Sequence, residues 1–195
     1  MTVVEHALYA LLWASFGAGH SLLAGRRGRR LLTPLVGRWH RLAYNLIATV
    51  HLAAIWALGR FLLAPGVEPF ALPWWVVALQ VAAFLAALAL FWAGGRRYDL
   101  GRFLGTRPER EEASAEPLVT DGIQGRVRHP LYTAGYLALF ASVGDPFSLA
   151  TAVWASVYLA IGTWIEERRL LGLYGEAYRD YRRRVPPVVP RLWPR

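Results

Sequence analysis

Apolar positions run along this chain in long blocks rather than in alternation, and the blocks predict helices that cross a membrane. The first extends from Val3 to Ala24, the second from Leu42 to Leu63, and the third from Val76 to Ala93 with Trp74 and Trp75 at its start. A hydrocarbon core needs about 20 apolar residues in a helix, and each of these blocks meets that length. Ala64-Pro65-Gly66 and Gly94-Gly95 end the second and third blocks. After a polar stretch from Arg96 to Arg128, the chain is apolar again from Pro130 to Val143, turns at Gly144-Asp145-Pro146, and returns from Phe147 to Ile165. The outgoing arm has about 15 residues, or roughly 22 Å as a helix, short of a ~30 Å core. Its start is therefore expected below the headgroups, with His129 and Tyr132 in a recess.

The expected fold is all-α: a polytopic membrane protein with five transmembrane helices and a cytoplasmic cofactor pocket. Residues 1–195 read as a single membrane-embedded domain, with three N-terminal spans in 1–95 and a helical hairpin plus C-terminal tail in 96–195. The first block begins with Glu5 and His6 and is followed by Arg26, Arg27, Arg29 and Arg30, the reverse of a cleavable signal peptide's charge order. Arginines also crowd the third loop and the tail (Arg179, Arg182, Arg183, Arg184, Arg191, Arg195), whereas the second and fourth loops carry little beyond Arg60, Glu68 and Asp145. This asymmetry puts the N-terminus outside and the C-terminus in the cytoplasm.

Composition agrees with the pattern. The chain has 195 residues, is 55% hydrophobic and carries nine Trp. It has no Cys, which removes disulfides, thiolate metal sites and a cysteine nucleophile. The formal net charge is +9 and every basic side chain apart from His is Arg. Because those arginines sit between apolar runs, membrane lipid accounts for them and nucleic acid does not.

Candidate chemistry gathers between Leu118 and Gly135. Pro130 suits the first turn of a helix and pushes His129 out of the α region, so the segment reads as loop, cap, then helix. Arg126, Arg128 and His129 meet at the end where the helix dipole is positive and backbone N–H groups lack partners, favourable ground for an anion. In the tail, Tyr174, Tyr178 and Tyr181 are spaced to share one face of a short helix, either lying on the membrane or acting as a lid. Pro186, Pro187 and Pro190 impose an extended exit. Near the end of the first block, His20 and Ser21 form a polar pair that either joins a neighbouring helix or serves a site.

The order Leu118-Val119-Thr120-Asp121-Gly122, Arg128-His129-Pro130-Leu131-Tyr132, Gly135, Glu166-Glu167, Leu170, Gly175, Tyr178, Tyr181, Arg184-Val185-Pro186 and Pro190 resembles the isoprenylcysteine carboxyl methyltransferase superfamily of integral membrane methyltransferases. With His20-Ser21, Arg41-Leu42-Ala43-Tyr44, Tyr98-Asp99 and Phe103-Leu104-Gly105, the N-terminal half is more similar to the bacterial branch of methanethiol S-methyltransferases and NnrU-type proteins. The resemblance implies S-adenosylmethionine as methyl donor and no metal. It assigns donor contacts to Pro117, Leu118, Val119, Gln124, His129, Pro130, Leu131, Tyr132 and Glu166. Gln124 stands where family members commonly have Tyr.

Arg128, or the donor's own charge, is expected to lower the pKa of a thiol nucleophile, the catalytic role assigned to Arg128. His20 and Ser21 are expected to contact the acceptor. Prenylcysteine enzymes place an Arg four residues before the first Glu of the pair, and here that position is Gly162, so the expected acceptor is a small or lipophilic molecule such as a thiol. The alternatives are an isoprenylcysteine-type carboxyl methyltransferase, a non-catalytic NnrU-like membrane protein and a sterol-type reductase using NADPH. Against the last, the His-Pro pair is followed here by Leu131-Tyr132 where those reductases typically have Asn-Tyr.

Overall fold

The computed structural model describes residues 1–96, 99, 101, 104–107 and 117–191, and no strand occurs among them. Seven α-helices are described: α1 (Val3–Ala24), α2 (Arg26–Val36), α3 (His40–Leu58), α4 (Trp74–Gly95), α5 (Pro130–Ala141), α6 (Pro146–Tyr174) and α7 (Glu176–Arg184). A 3-10 turn, Gly37–Trp39, leads into α3, and a π turn, Gly59–Leu63, continues it. The expected solvated segment Arg107 to Glu112 lies outside the described residues beyond Arg107, as do Tyr98, Phe103 and Arg195.

Four of the described helical segments are long and apolar enough to cross a membrane: Val3–Ala24, Arg26–Leu63, Trp74–Gly95 and Pro146–Tyr174. Leu11, Val50, Trp92 and Ile161, one on each, are more than half exposed. A water-soluble chain would bury such surface, so the protein is an integral membrane protein. The fourth expected span, from Pro130 to Val143, is the helix α5 of only 12 residues and is not among these segments.

Local chemistry explains where the helices begin. Thr2 and Glu5 form a reciprocal capping box at α1, with the Thr2 amide 2.6 Å from Glu5 Oε2, so the acidic start of the first block closes a helix end. At α6, the Ser148 amide donates to Asp145 Oδ1 (2.7 Å), and Ser148 Oγ accepts from the Gly144 and Asp145 amides (2.9 Å each). That helix does not stop at Ile165, as the apolar block suggested, but runs 29 residues to Tyr174. Glu166 and Glu167 thus lie inside a regular helix.

The arginine-rich stretch after α1, expected as a loop, is the helix α2. Its chain doubles back so closely that a Cβ on Gly28 would lie 2.0 Å from the Leu23 carbonyl oxygen, which only glycine tolerates. The expected tyrosine face is likewise divided: Gly175, with φ of 55°, separates Tyr174 at the end of α6 from Tyr178 and Tyr181 on α7.

The chain forms two compact units. The first comprises Met1–Ala71, Asp99–Glu111 and Gly144–Tyr158; the second comprises Leu72–Tyr98, Glu112–Val143 and Leu159–Arg195. In the first, the fully buried Tyr9 packs on Trp13 and Phe147 and shares a 2.9 Å hydrogen bond with Thr151. Gly59 is required beside it, because a Cβ there would meet the Tyr9 ring at 2.5 Å. In the second, α4 lies against α5 where Gly94 faces Leu131 and Pro130, and Gln80 donates to the Val143 carbonyl (2.6 Å). Tyr178, Tyr181 and Val185 form a buried cluster packed by Leu118, Leu170, Leu171 and Tyr174.

Candidate active site

The second unit holds a convergent polar cluster at the start of α5. His129 occupies the N-cap position with an extended-side φ of −120°, as the following proline requires, and its side chain is 5% exposed. Its Nε2 lies 2.9 Å from Glu167 Oε1. The same oxygen accepts from Arg128 Nε (2.8 Å) and from the Tyr178 hydroxyl (2.9 Å), while Arg182 Nε is 2.9 Å from Oε2. Burial, reinforced by the bond donated to Glu167, pushes the Tyr178 hydroxyl above the ordinary tyrosine range, so it stays a proton donor.

The tail completes this cluster. After α7 the chain extends alongside the α5 entry, and the Arg128 and His129 amides donate to the Pro186 and Pro187 carbonyls (2.9 and 3.0 Å). Thr133 Oγ1 donates to Val188 (2.6 Å), and the Arg191 amide donates to the Arg126 carbonyl (2.9 Å). Arg128 Nη1 reaches the carbonyls of Arg182 (3.1 Å) and Val185 (2.5 Å). Buried Tyr178 and Tyr181 face the protein, so α7 is docked on its own unit by the face that an interfacial helix would turn to lipid.

Within this unit the expected donor residues take distinct places. Gln124 is buried on the 3-10 turn Gly122–Gly125; its carbonyl accepts the Tyr181 hydroxyl (2.6 Å), and its side-chain Oε1 is buried with no hydrogen-bond partner among the described residues. An orphaned acceptor at such a depth is costly unless something else donates to it. Glu166 is half-buried with Oε2 3.8 Å from His129 Nδ1. Pro130 is buried and Leu131 and Tyr132 are half-buried in the first turn of α5, at the end of the helix where the dipole is positive. Leu118 packs on the tyrosine cluster, while Pro117 and Val119 are exposed. Arg128 directs its Nε and Nη1 donors to protein acceptors, so any action on an acceptor molecule would run through Nη2.

His20 and Ser21 belong to the first unit. His20 Nε2 is 2.5 Å from the Tyr44 hydroxyl, and its ring packs against Phe16, Tyr44 and Tyr158, whereas Ser21, one residue on around the helix, is exposed. His51 pairs with Ser15 at 3.2 Å.

Sequence reasoning named the Glu166-Glu167 pair but gave a site role to Glu166 alone, and none to Glu167, Tyr178 or Arg182. A helix continued past Ile165 puts Glu167 on the face of Thr163, four residues back and likewise buried, but that spacing names none of its partners. Ending the helix at Ile165 hid that face. Among the described residues no group of three or more His, Asp or Glu side chains is placed to hold a metal.

Comparison with known proteins defines a class of relatives: the chain is similar to methyltransferases of two kinds. It is 29% identical to the methanethiol S-methyltransferase of Mycobacterium tuberculosis over 98% of this chain and 84% of that protein. Methanethiol S-methyltransferase 2 of Bradyrhizobium diazoefficiens is 34% identical over 62% of this chain, and the mouse protein-S-isoprenylcysteine O-methyltransferase is 31% identical over 42%. The chain spans 44% and 65% of the lengths of the two Bradyrhizobium enzymes and 30% of the mouse enzyme. No protein-family profile and no solved structure matches it. These relatives bear out the resemblance to the isoprenylcysteine carboxyl methyltransferase superfamily, with the methanethiol enzymes of bacteria matching over more of the chain.

Proposed function

We propose that the protein is an integral membrane methyltransferase that uses S-adenosylmethionine and methylates a small or lipophilic thiol. The observation that carries this reading is the second unit's set of complementary groups: a buried Gln124 acceptor without a partner, the half-buried Glu166 carboxylate beside His129, and the positive N-terminal end of α5. An amino-acid moiety carries an ammonium and a carboxylate, and these groups suit its two ends. S-adenosylmethionine supplies an activated methyl group on a sulfonium. Orientation and exclusion of water are what the chain's own residues contribute.

Gly162 supports a thiol over a carboxylate acceptor. A glycine places no fixed cation at that position to hold a carboxylate, and the group that faces it is the Tyr132 side chain, whose hydroxyl would lie 3.5 Å from an added Cβ. Arg128 favours the thiolate by its charge, and His20 and Ser21 remain the proposed acceptor contacts, with His20 already bonded to Tyr44.

Calorimetry of the purified protein with S-adenosylhomocysteine tests the class. Binding in preference to NADPH supports the methyltransferase, and NADPH binding alone would favour a reductase. Labelled donor with a panel of thiols and prenylcysteine analogues then tests the acceptor: carboxyl-ester formation without thioether product would overturn the thiol assignment.

The proposed topology has five spans, the fourth being the short α5, with the N-terminus outside and the C-terminus cytoplasmic, from the arginine asymmetry. Reporter fusions at Glu68 and Asp145 are expected to read as external. A cytoplasmic signal at either would overturn it.

A further inference from the structure

We propose that Glu167 is the positioning residue of the donor site, holding His129 in its Nε2–H tautomer and fastening α7 to the entry of α5 without itself touching the donor. The proposal rests on the donor-binding reading above.

Four donors from two other segments converge on this one buried carboxylate: Arg128 and His129 from the α5 entry, Tyr178 and Arg182 from α7. Stability alone does not call for such an arrangement, because apolar replacements of buried ionic clusters are often equally stable or more so. What a clustered carboxylate gives instead is orientation. Since Glu167 Oε1 accepts, the hydrogen between it and His129 rides on Nε2, and the hydrogen bond made by one ring nitrogen decides the state of the other. Nδ1 is then the nitrogen left to a ligand, and it lies on the side of the more exposed Glu166, 3.8 Å from its carboxylate. The ring is further held edge-on to Tyr132, at 5.5 Å between centroids. Glu167 itself has no free side to present: Oε1 already receives three donors and Oε2 a guanidinium, and the residue is 7% exposed.

The division between the two adjacent glutamates follows from the helix. Glu166 and Glu167 differ by about 100° around α6, so one faces the α7 and α5 donors while the other borders His129 Nδ1. Glu166 is the carboxylate available to a ligand; Glu167 orients the histidine beside it.

The test uses the full-length protein in nanodiscs, with ring-labelled histidine for nitrogen NMR and S-adenosylhomocysteine for affinity. In the Glu167→Gln variant, donor affinity is expected to fall about 10- to 100-fold, the scale on which partners that orient a ligating group act. The His129 signal of the Nε2–H tautomer is expected to give way to a mixture. Glu166→Gln serves as the contrast: it weakens binding but leaves the tautomer signal in place. Wild-type affinity in Glu167→Gln, or lost affinity with an unchanged tautomer, would overturn the proposal. Should Glu167→Gln fail to fold, Tyr178→Phe removes one donor from the same oxygen, and no effect on donor affinity in that variant would count against the proposal. If the wild-type protein binds no S-adenosylhomocysteine, the donor reading falls by itself, and the proposal, which rests on it, falls with it.

Discussion

Buried polarity is handled in two ways in this molecule. In the first unit, polar side chains meet in pairs among aromatic rings: His20 with Tyr44 and Tyr9 with Thr151. In the second, four side-chain donors converge on Glu167: Arg128 and His129 from the α5 entry, Tyr178 and Arg182 from α7. Deleting one member of a pair leaves one neutral group unsatisfied, whereas deleting the shared carboxylate leaves the buried Arg128 cation uncompensated. The two kinds of loss differ several-fold in size.

The largest expected effect is therefore at Glu167. Glu167→Ala strands the Arg128 side chain, itself 7% exposed, and is expected to destabilise the protein by about 3–5 kcal/mol, read as a lower unfolding midpoint in detergent. A loss under about 1 kcal/mol would mean that the convergent cluster behaves like a simple pair. Next come His129→Ala and Glu166→Ala, each expected to weaken donor binding by about 1–3 kcal/mol in a protein that remains folded. Unchanged calorimetric affinity in both would remove them from the donor site.

On the other side of the comparison, Tyr44→Phe removes one neutral hydrogen bond and is expected to cost about 1 kcal/mol of stability, with donor affinity unaltered. A large fall in donor affinity would show that the first unit contributes to donor binding after all. The smallest effect belongs to Gly162→Ala. An added Cβ makes ordinary contacts of 3.5 and 3.6 Å with Tyr132, and alanine favours a helix by up to about 1 kcal/mol, so stability should hold or rise slightly. A marked loss in the same unfolding measurement would mean that Tyr132 needs that space.

The long lipid-facing helices were the more legible part of the chain. Long apolar blocks delimited α1 and α4 to within two residues, because a helix facing lipid leaves its boundaries in hydropathy alone. The amphipathic α2 escaped notice, since four arginines in six positions resemble a loop and only the Leu31, Leu32 and Leu35 side hints at a helix. At the site, His129 and Pro130 were readable from local rules, a proline at the first helical position and the restricted residue before it. Glu167 was not, because its meaning lies in partners 38 residues before it and 11 after it, separations that no local rule spans. The tail's carbonyl contacts were beyond any reading of side chains, since Pro186, Pro187 and Val188 act through their backbones.

The extended tail has a consequence for biosynthesis. A chain emerges from the ribosome N-terminal end first, so all four membrane-crossing segments are made before the residues from Val185 to Arg191 that fasten the α5 entry. Insertion of the helices and assembly of the site are thus separate events in time. Until the last turn of α7 and the strap behind it have been translated, Arg128 and His129 sit beside Glu167 without the contacts that hold them still. A nascent chain stalled before Val185 would be lodged in the bilayer with its helices in place and its chemistry unformed.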